Sequence, residues 1–113
     1  MEVEKRDLAI LEKIDCYCAE IQEAHAAFDK NYDAFLKSSI YRNAVCLCLM
    51  QIGELTGKLS DVFKTEHPDI PWRAIRGMRN VVAHEYGRID VETVWETAED
   101  GVSELRDFCR KFI

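Results

Sequence analysis

YRNAVCLCLMQIGELTGKLSDV, residues 41–62, decides the fold of this chain. Its apolar positions Tyr41, Val45, Cys48, Ile52, Leu55, Leu59 and Val62 advance by alternating steps of three and four. That is the period of a helix with one face turned to a core. Two flanking segments repeat it. Before it run Leu11, Ile14, Cys18, Ile21, His25 and Phe28; after it run Val91, Val94, Ala98, Gly101, Leu105, Phe108 and Phe112. Stripes of this kind mark helices that pack side by side. No segment alternates with the period of a strand, and there is no internal repeat or low-complexity tract.

The breaks between the stripes set the topology. Residues 29–37 are polar and mixed, with room for a short helix around Tyr32 to Leu36. The run His67-Pro68-Asp69-Ile70-Pro71 closes one helix and opens a third. Pro71 suits the first position of that third helix, Gly87 suits the stop after Tyr86, and Asp90 suits the N-cap of the last helix. The expected fold is all-α: an antiparallel bundle of four to five helices, one domain over residues 1–113. That length can bury one modest core.

The chain has 113 residues and a net charge of −6, which excludes a protein that coats nucleic acid by overall charge. A local exception lies in residues 72–88. There Arg73, Arg76, Arg79 and Arg88 face Glu85 alone. The start Met1, Glu2, Glu4, Asp7 lacks the basic and then apolar pattern of an export signal, and the five cysteines are odd in number. A reduced, cytoplasmic protein is expected.

The stretch RNVVAHEY, residues 79–86, carries the chemistry. On a helical wheel with Arg79 at zero, Arg76 falls near 60°, Asn80 near 100° and His84 near 140°, all approximate. Ile75, Met78, Val81 and Val82 take the opposite arc. Arginine is permanently charged, and its planar fork suits phosphate oxygens. Histidine titrates near neutrality and can move a proton. Asn80, one turn before His84, can orient the imidazole. Together these suit metal-independent attack of an RNA 2′-hydroxyl on the adjacent phosphate. His84 would transfer the proton, Arg79 would stabilise the phosphorane, and Arg76 and Arg73 would hold backbone phosphates. The plainer reading is a solvated polar face that contains a histidine.

Arg79-Asn80-Val81-Val82-Ala83-His84 resembles the R-N-x-x-x-H signature of the HEPN superfamily, and His84-Glu85-Tyr86 completes the H-x-Y extension of its HepT-like branch. Phe35, Ala44-Val45, Ile52-Gly53-Glu54, Ile70-Pro71-Trp72, Gly77-Met78, Ile89-Asp90 and Trp95 are similar to its other landmarks. Leu55 departs from a position where alanine is frequent. The resemblance implies a ribonuclease toxin of a toxin–antitoxin pair, with Arg79 and His84 as the catalytic pair and Asn80 orienting. It also implies a partner, a minimal nucleotidyltransferase of the MNT type, which transfers AMP to Tyr86. No cofactor and no metal site are implied. The alternative is a non-catalytic helical module that binds such a nucleotidyltransferase.

In-line cleavage needs a base and an acid on opposite sides of phosphorus, and each chain has one histidine in the motif. A C2 homodimer with a composite site is therefore expected. Gly53 and Gly57, four apart with Ser60 nearby, each cost about 1 kcal/mol relative to alanine inside a helix. Close approach by the third helix or by a dimer mate would explain them, and Gly77 invites the same reading; simple tolerance is the alternative. Cys16 and Cys18, like Cys46 and Cys48, point about 200° apart on a helix and cannot grip one ion. They read as small buried hydrophobes. His25 reads as a core or interface histidine, His67 as a loop residue, and Phe28, Phe35, Phe63, Trp95, Phe108 and Phe112 as mostly core. Trp72 is assigned beneath the motif helix. The acidic positions Glu92, Glu96, Glu99, Asp100, Glu104 and Asp107 read as a solvated face, with docking of a basic partner as the alternative.

Overall fold

The computed structural model describes residues 3–85 and 91–113, without the side chains of residues 80–85. Its helices are α1 (Lys5–Ala27), α2 (Tyr32–Lys37), α3 (Ser39–Lys58), α4 (Asp61–Glu66), α5 (Trp72–Glu85), α6 (Val91–Glu96) and α7 (Val102–Arg110). A π-helical turn, Thr97–Gly101, joins α6 to α7. There is no strand among the described residues. The all-α bundle expected from the periodicity is what forms, with the expected short helix as α2 and one further short helix, α4.

Helix α1 is central. His25 meets Tyr41, Glu20 meets Cys48, and Asp7 meets Ser60, so α3 runs antiparallel to α1. Asp15 meets Arg106 while His25 meets Ala98, so the last helix is antiparallel to α1 as well. Helix α5 lies mainly on α3. The side chains of Leu11, Ile14, Cys18, Ile21, Val45 and Val94 are sealed from water in the resulting core. Caps start the elements where the chain turns: Asn31, Ser38 and Ser60 accept from the amides of Ala34, Tyr41 and Phe63.

Two expected features come out differently. The helix that begins at Ser39 ends at Lys58, so the stripe does not continue to Val62, which is exposed. Leu59 and Ser60 are extended, and Ser60 caps α4. A buried carboxylate holds this break. The Asp7 oxygens accept from the Ser60 amide at 2.9 Å and from its hydroxyl at 2.7 Å. Phe63, not Val62, then enters the core. In the last helix the buried residues are Val94, Trp95, Ala98, Val102, Leu105 and Cys109, with Gly101 exposed. The π turn adds one residue and rotates the face from position 101 to 102.

His25 ties that turn to α1 as a buried core histidine. Its Nε2 donates to the Ala98 carbonyl at 3.2 Å, which leaves Nδ1 to accept from the Tyr41 hydroxyl. Tyr41 stacks on Phe28 and meets Phe35 and Trp95 edge-on or nearly so. Burial pushes the His25 pKa below its ordinary 6.5, against the smaller opposing effect of the bond to Ala98. The unfolded chain thus binds a proton near pH 6.5 that the folded chain refuses. Stability is full above about 6.5 and falls as pH drops through the window below it. Chemical denaturation between pH 7.5 and 5 should show this slope in wild type. It should be flattened in His25→Asn, and an equal slope in both proteins would refute the assignment.

A second aromatic group fixes the start of α5. Phe63, His67, Trp72, Phe108 and Phe112 pack together, and Trp72 Nε1 donates to the His67 carbonyl at 2.9 Å. Trp72, rather than Pro71, is the first helical residue. The Pro71 carbonyl accepts from the Ile75 amide at 3.1 Å, so Pro71 sits one position earlier than expected. Gly87 and Asp90 lie outside the described residues.

Candidate active site

Helix α5 has two flanks. Ile75 and Met78 are half-buried against the core, as the wheel requires. With Leu49, Ile52, Val102 and Leu105 they line an apolar groove of about 420 Å³. The other flank meets α3 at its glycines. A Cβ on Gly53 would lie 2.9 Å from both the Cβ and the amide nitrogen of Arg79, and 3.1 Å from the Ile75 carbonyl. A Cβ on Gly57 would lie 3.1 Å from Arg76 Nε. The third helix is therefore the element that approaches these glycines. It runs antiparallel to α3, since the later glycine meets the earlier arginine. Gly77 has open space where a Cβ would stand, so no close approach within the described residues of this chain accounts for it.

Between α3 and α5 opens a cleft of about 620 Å³. Gly53, Glu54, Gly57 and Lys58 line it from α3; Arg73, Arg76, Gly77 and Arg79 line it from α5. Four cations thus face one carboxylate, in a chain whose net charge is −6. Arg79 Nε lies 3.5 Å from Glu54 Oε1, with both side chains roughly half exposed. An ion pair in such a solvated place contributes little to stability. The fork of Arg79 and the cations behind it suit a chain of phosphates.

The structure brings three of the six sequence-derived site residues together: Arg73, Arg76 and Arg79. Helix α5 continues through Asn80 and His84 to Glu85, so the backbone keeps the spacing on which the wheel rests. The side chains of Asn80 and His84, and the whole of Tyr86, lie outside the description. Sequence reasoning did not place Glu54 or Lys58 in the site. Each directly follows one of the two α3 glycines, and that adjacency was the available signal.

The cysteines take no part. Cys18, Cys46, Cys48 and Cys109 are buried, while Cys16 is exposed, against expectation. Cys16 lies two positions from buried Cys18 and so on the far side of α1. Burial pushes the thiols of Cys18, Cys48 and Cys109 up to about 12, which keeps them protonated. No helix among the described residues is long and apolar enough to cross a membrane.

Comparison with known proteins places this arrangement in context. The profile of the family described as "Ribonuclease HepT-like" matches residues 14–112. A Methanocaldococcus jannaschii protein named "Putative RNase MJ0125" is 34% identical over 110 residues, 96% of this chain and 93% of that one. A second protein of that organism, "Putative RNase MJ1216", is 35% identical over 76% of this chain and 73% of its own. "Probable ribonuclease HepT" of Thermococcus cleftensis is 33% identical over 66% of this chain and 68% of its own. No solved structure matches the chain.

Proposed function

The chain belongs to the ribonuclease HepT-like family, and from that premise we propose that it is a metal-independent endoribonuclease acting as the toxin of a toxin–antitoxin pair. The observation that supports this most directly is the cleft itself. Cations of α5 are gathered over a glycine floor beside Arg79, in an otherwise acidic protein.

In the proposed reaction the 2′-oxygen attacks phosphorus as its proton passes to a histidine. The bond from phosphorus to the 5′-oxygen breaks, and a second histidine protonates the leaving oxygen. The products are a 2′,3′-cyclic phosphate and a free 5′-hydroxyl. His84 supplies one histidine and, in a C2 homodimer, the partner's copy of the motif supplies the other. Arg79 stabilises the phosphorane, with Glu54 positioning it. Asn80 orients His84, and Arg76 and Arg73 bind flanking phosphates. A cognate nucleotidyltransferase would silence the enzyme by transferring AMP to Tyr86. That places a bulky anion on the motif to compete for the arginines.

The test is cleavage of single-stranded RNA in EDTA by protein shown by mass to carry no AMP. The expected products end in 2′,3′-cyclic phosphate. Intact RNA after incubation with clean, unmodified protein would instead support a non-catalytic module that binds the nucleotidyltransferase.

A further inference from the structure

We propose that the cleft between α3 and α5 is a track for one RNA strand, running from Arg79 past Arg76 and Gly57 and leaving between Lys58 and Arg73. This rests on the nuclease reading and specifies its substrate: single-stranded RNA, bound through its phosphates with little regard to sequence.

The order of groups along the cleft follows from the antiparallel register. Arg79 lies over Gly53 and Arg76 over Gly57. Lys58, the last residue of α3, and Arg73, near the start of α5, complete the same end. Six residues separate Arg73 from Arg79, about 9 Å of helix. A strand lying along α5 can set successive phosphates against these cations.

The floor explains why a strand can lie there. At Gly53 the helices touch backbone to backbone, which closes that end. At Gly57 the nearest group is the outer part of Arg76, a flexible cation that lies over the glycine surface of α3 and lines the cleft. A recess of this form tracks a single backbone. A duplex carries its phosphates on a broad convex surface that meets only the rim. No aromatic side chain lines the cleft among the described residues, so no stacking platform selects or holds bases. Binding should then be dominated by phosphate contacts and be steeply sensitive to salt.

The probe is a labelled single strand of about ten 2′-O-methyl nucleotides, which lacks the attacking hydroxyl and stays intact. Affinity is measured against salt concentration for wild type, Lys58→Gln and Arg73→Gln. Both positions are exposed, and thermal melts verify the fold. The logarithm of affinity against the logarithm of salt should become shallower by about 0.7 for each cation removed. Wild type should bind the single strand more tightly than the matching duplex, and oligo-U and oligo-A alike. Unchanged slopes in both variants, or equal affinity for duplex, would overturn the track. If the slopes and strand preference hold while unmodified RNA is not cut, the nuclease reading falls and the track stands.

Discussion

His84→Ala is expected to slow RNA cleavage by about 10²–10⁴-fold, the usual contribution of a positioned proton-transfer group. Arg79→Ala should lose about 10²–10³-fold, the scale for removing one donor to a developing phosphorane charge. The two losses differ in kind. His84→Ala removes a proton carrier that is not a principal phosphate contact, so affinity for the uncleavable strand should stay near wild type. Arg79→Ala removes a cation from the cleft, so its affinity should fall and its salt dependence should flatten. The double variant should be little worse than either single one, because groups that act on one step are not additive. Cleavage rates under single-turnover conditions check this. Wild-type rates in His84→Ala would remove the histidine from the mechanism. A covalently linked dimer with one half mutated tests the composite site, and full activity in it would refute that arrangement.

Gly53→Ala is expected to disturb the structure more than alanine at any other described glycine. Its Cβ would stand 2.9 Å from the amide nitrogen and Cβ of Arg79, parts of the chain that cannot swing away. Either α5 retreats from α3 or the variant bears the clash. Overpacking of this kind costs about 1–3 kcal/mol, and retreat carries Arg79 away from Glu54. Thermal stability and cleavage should both fall. Gly57→Ala makes the matched control. The nearest atoms to its Cβ all belong to the flexible outer part of the exposed Arg76 side chain, Nε closest at 3.1 Å. Helix propensity then favours alanine by about 1 kcal/mol, so stability should hold or rise while phosphate affinity declines as Arg76 is displaced. A Gly53→Ala protein with wild-type melting and activity would contradict the close contact between these helices.

This pair of glycines shows how far the chain could be read before folding. Their spacing pointed to a helix face with a close neighbour, with simple tolerance as the alternative. It left two neighbours open, because a stripe of small residues records that something approaches and not what. The site was legible in part for the same reason. Arg73, Arg76 and Arg79 lie on one helix, and helical geometry alone orders them. Glu54 and Lys58 belong to another helix and enter the cleft only through the register of α3 against α5.

By itself the sequence determined that this protein is helical, which segments carry an apolar stripe, and that a helical wheel puts Arg76 and Arg79 on one face with Asn80 and His84. All of that follows from the helical period, a local property of each segment. The tertiary structure decided where one helix stops and which face another buries. The end of α3 at Lys58 depends on Asp7, 53 residues away from Ser60. The π turn that brings Val102 inward coincides with the bond from His25, 73 residues from Ala98. Bonds of that range leave no periodic mark in either segment. They exist only once α1 lies between its two antiparallel neighbours.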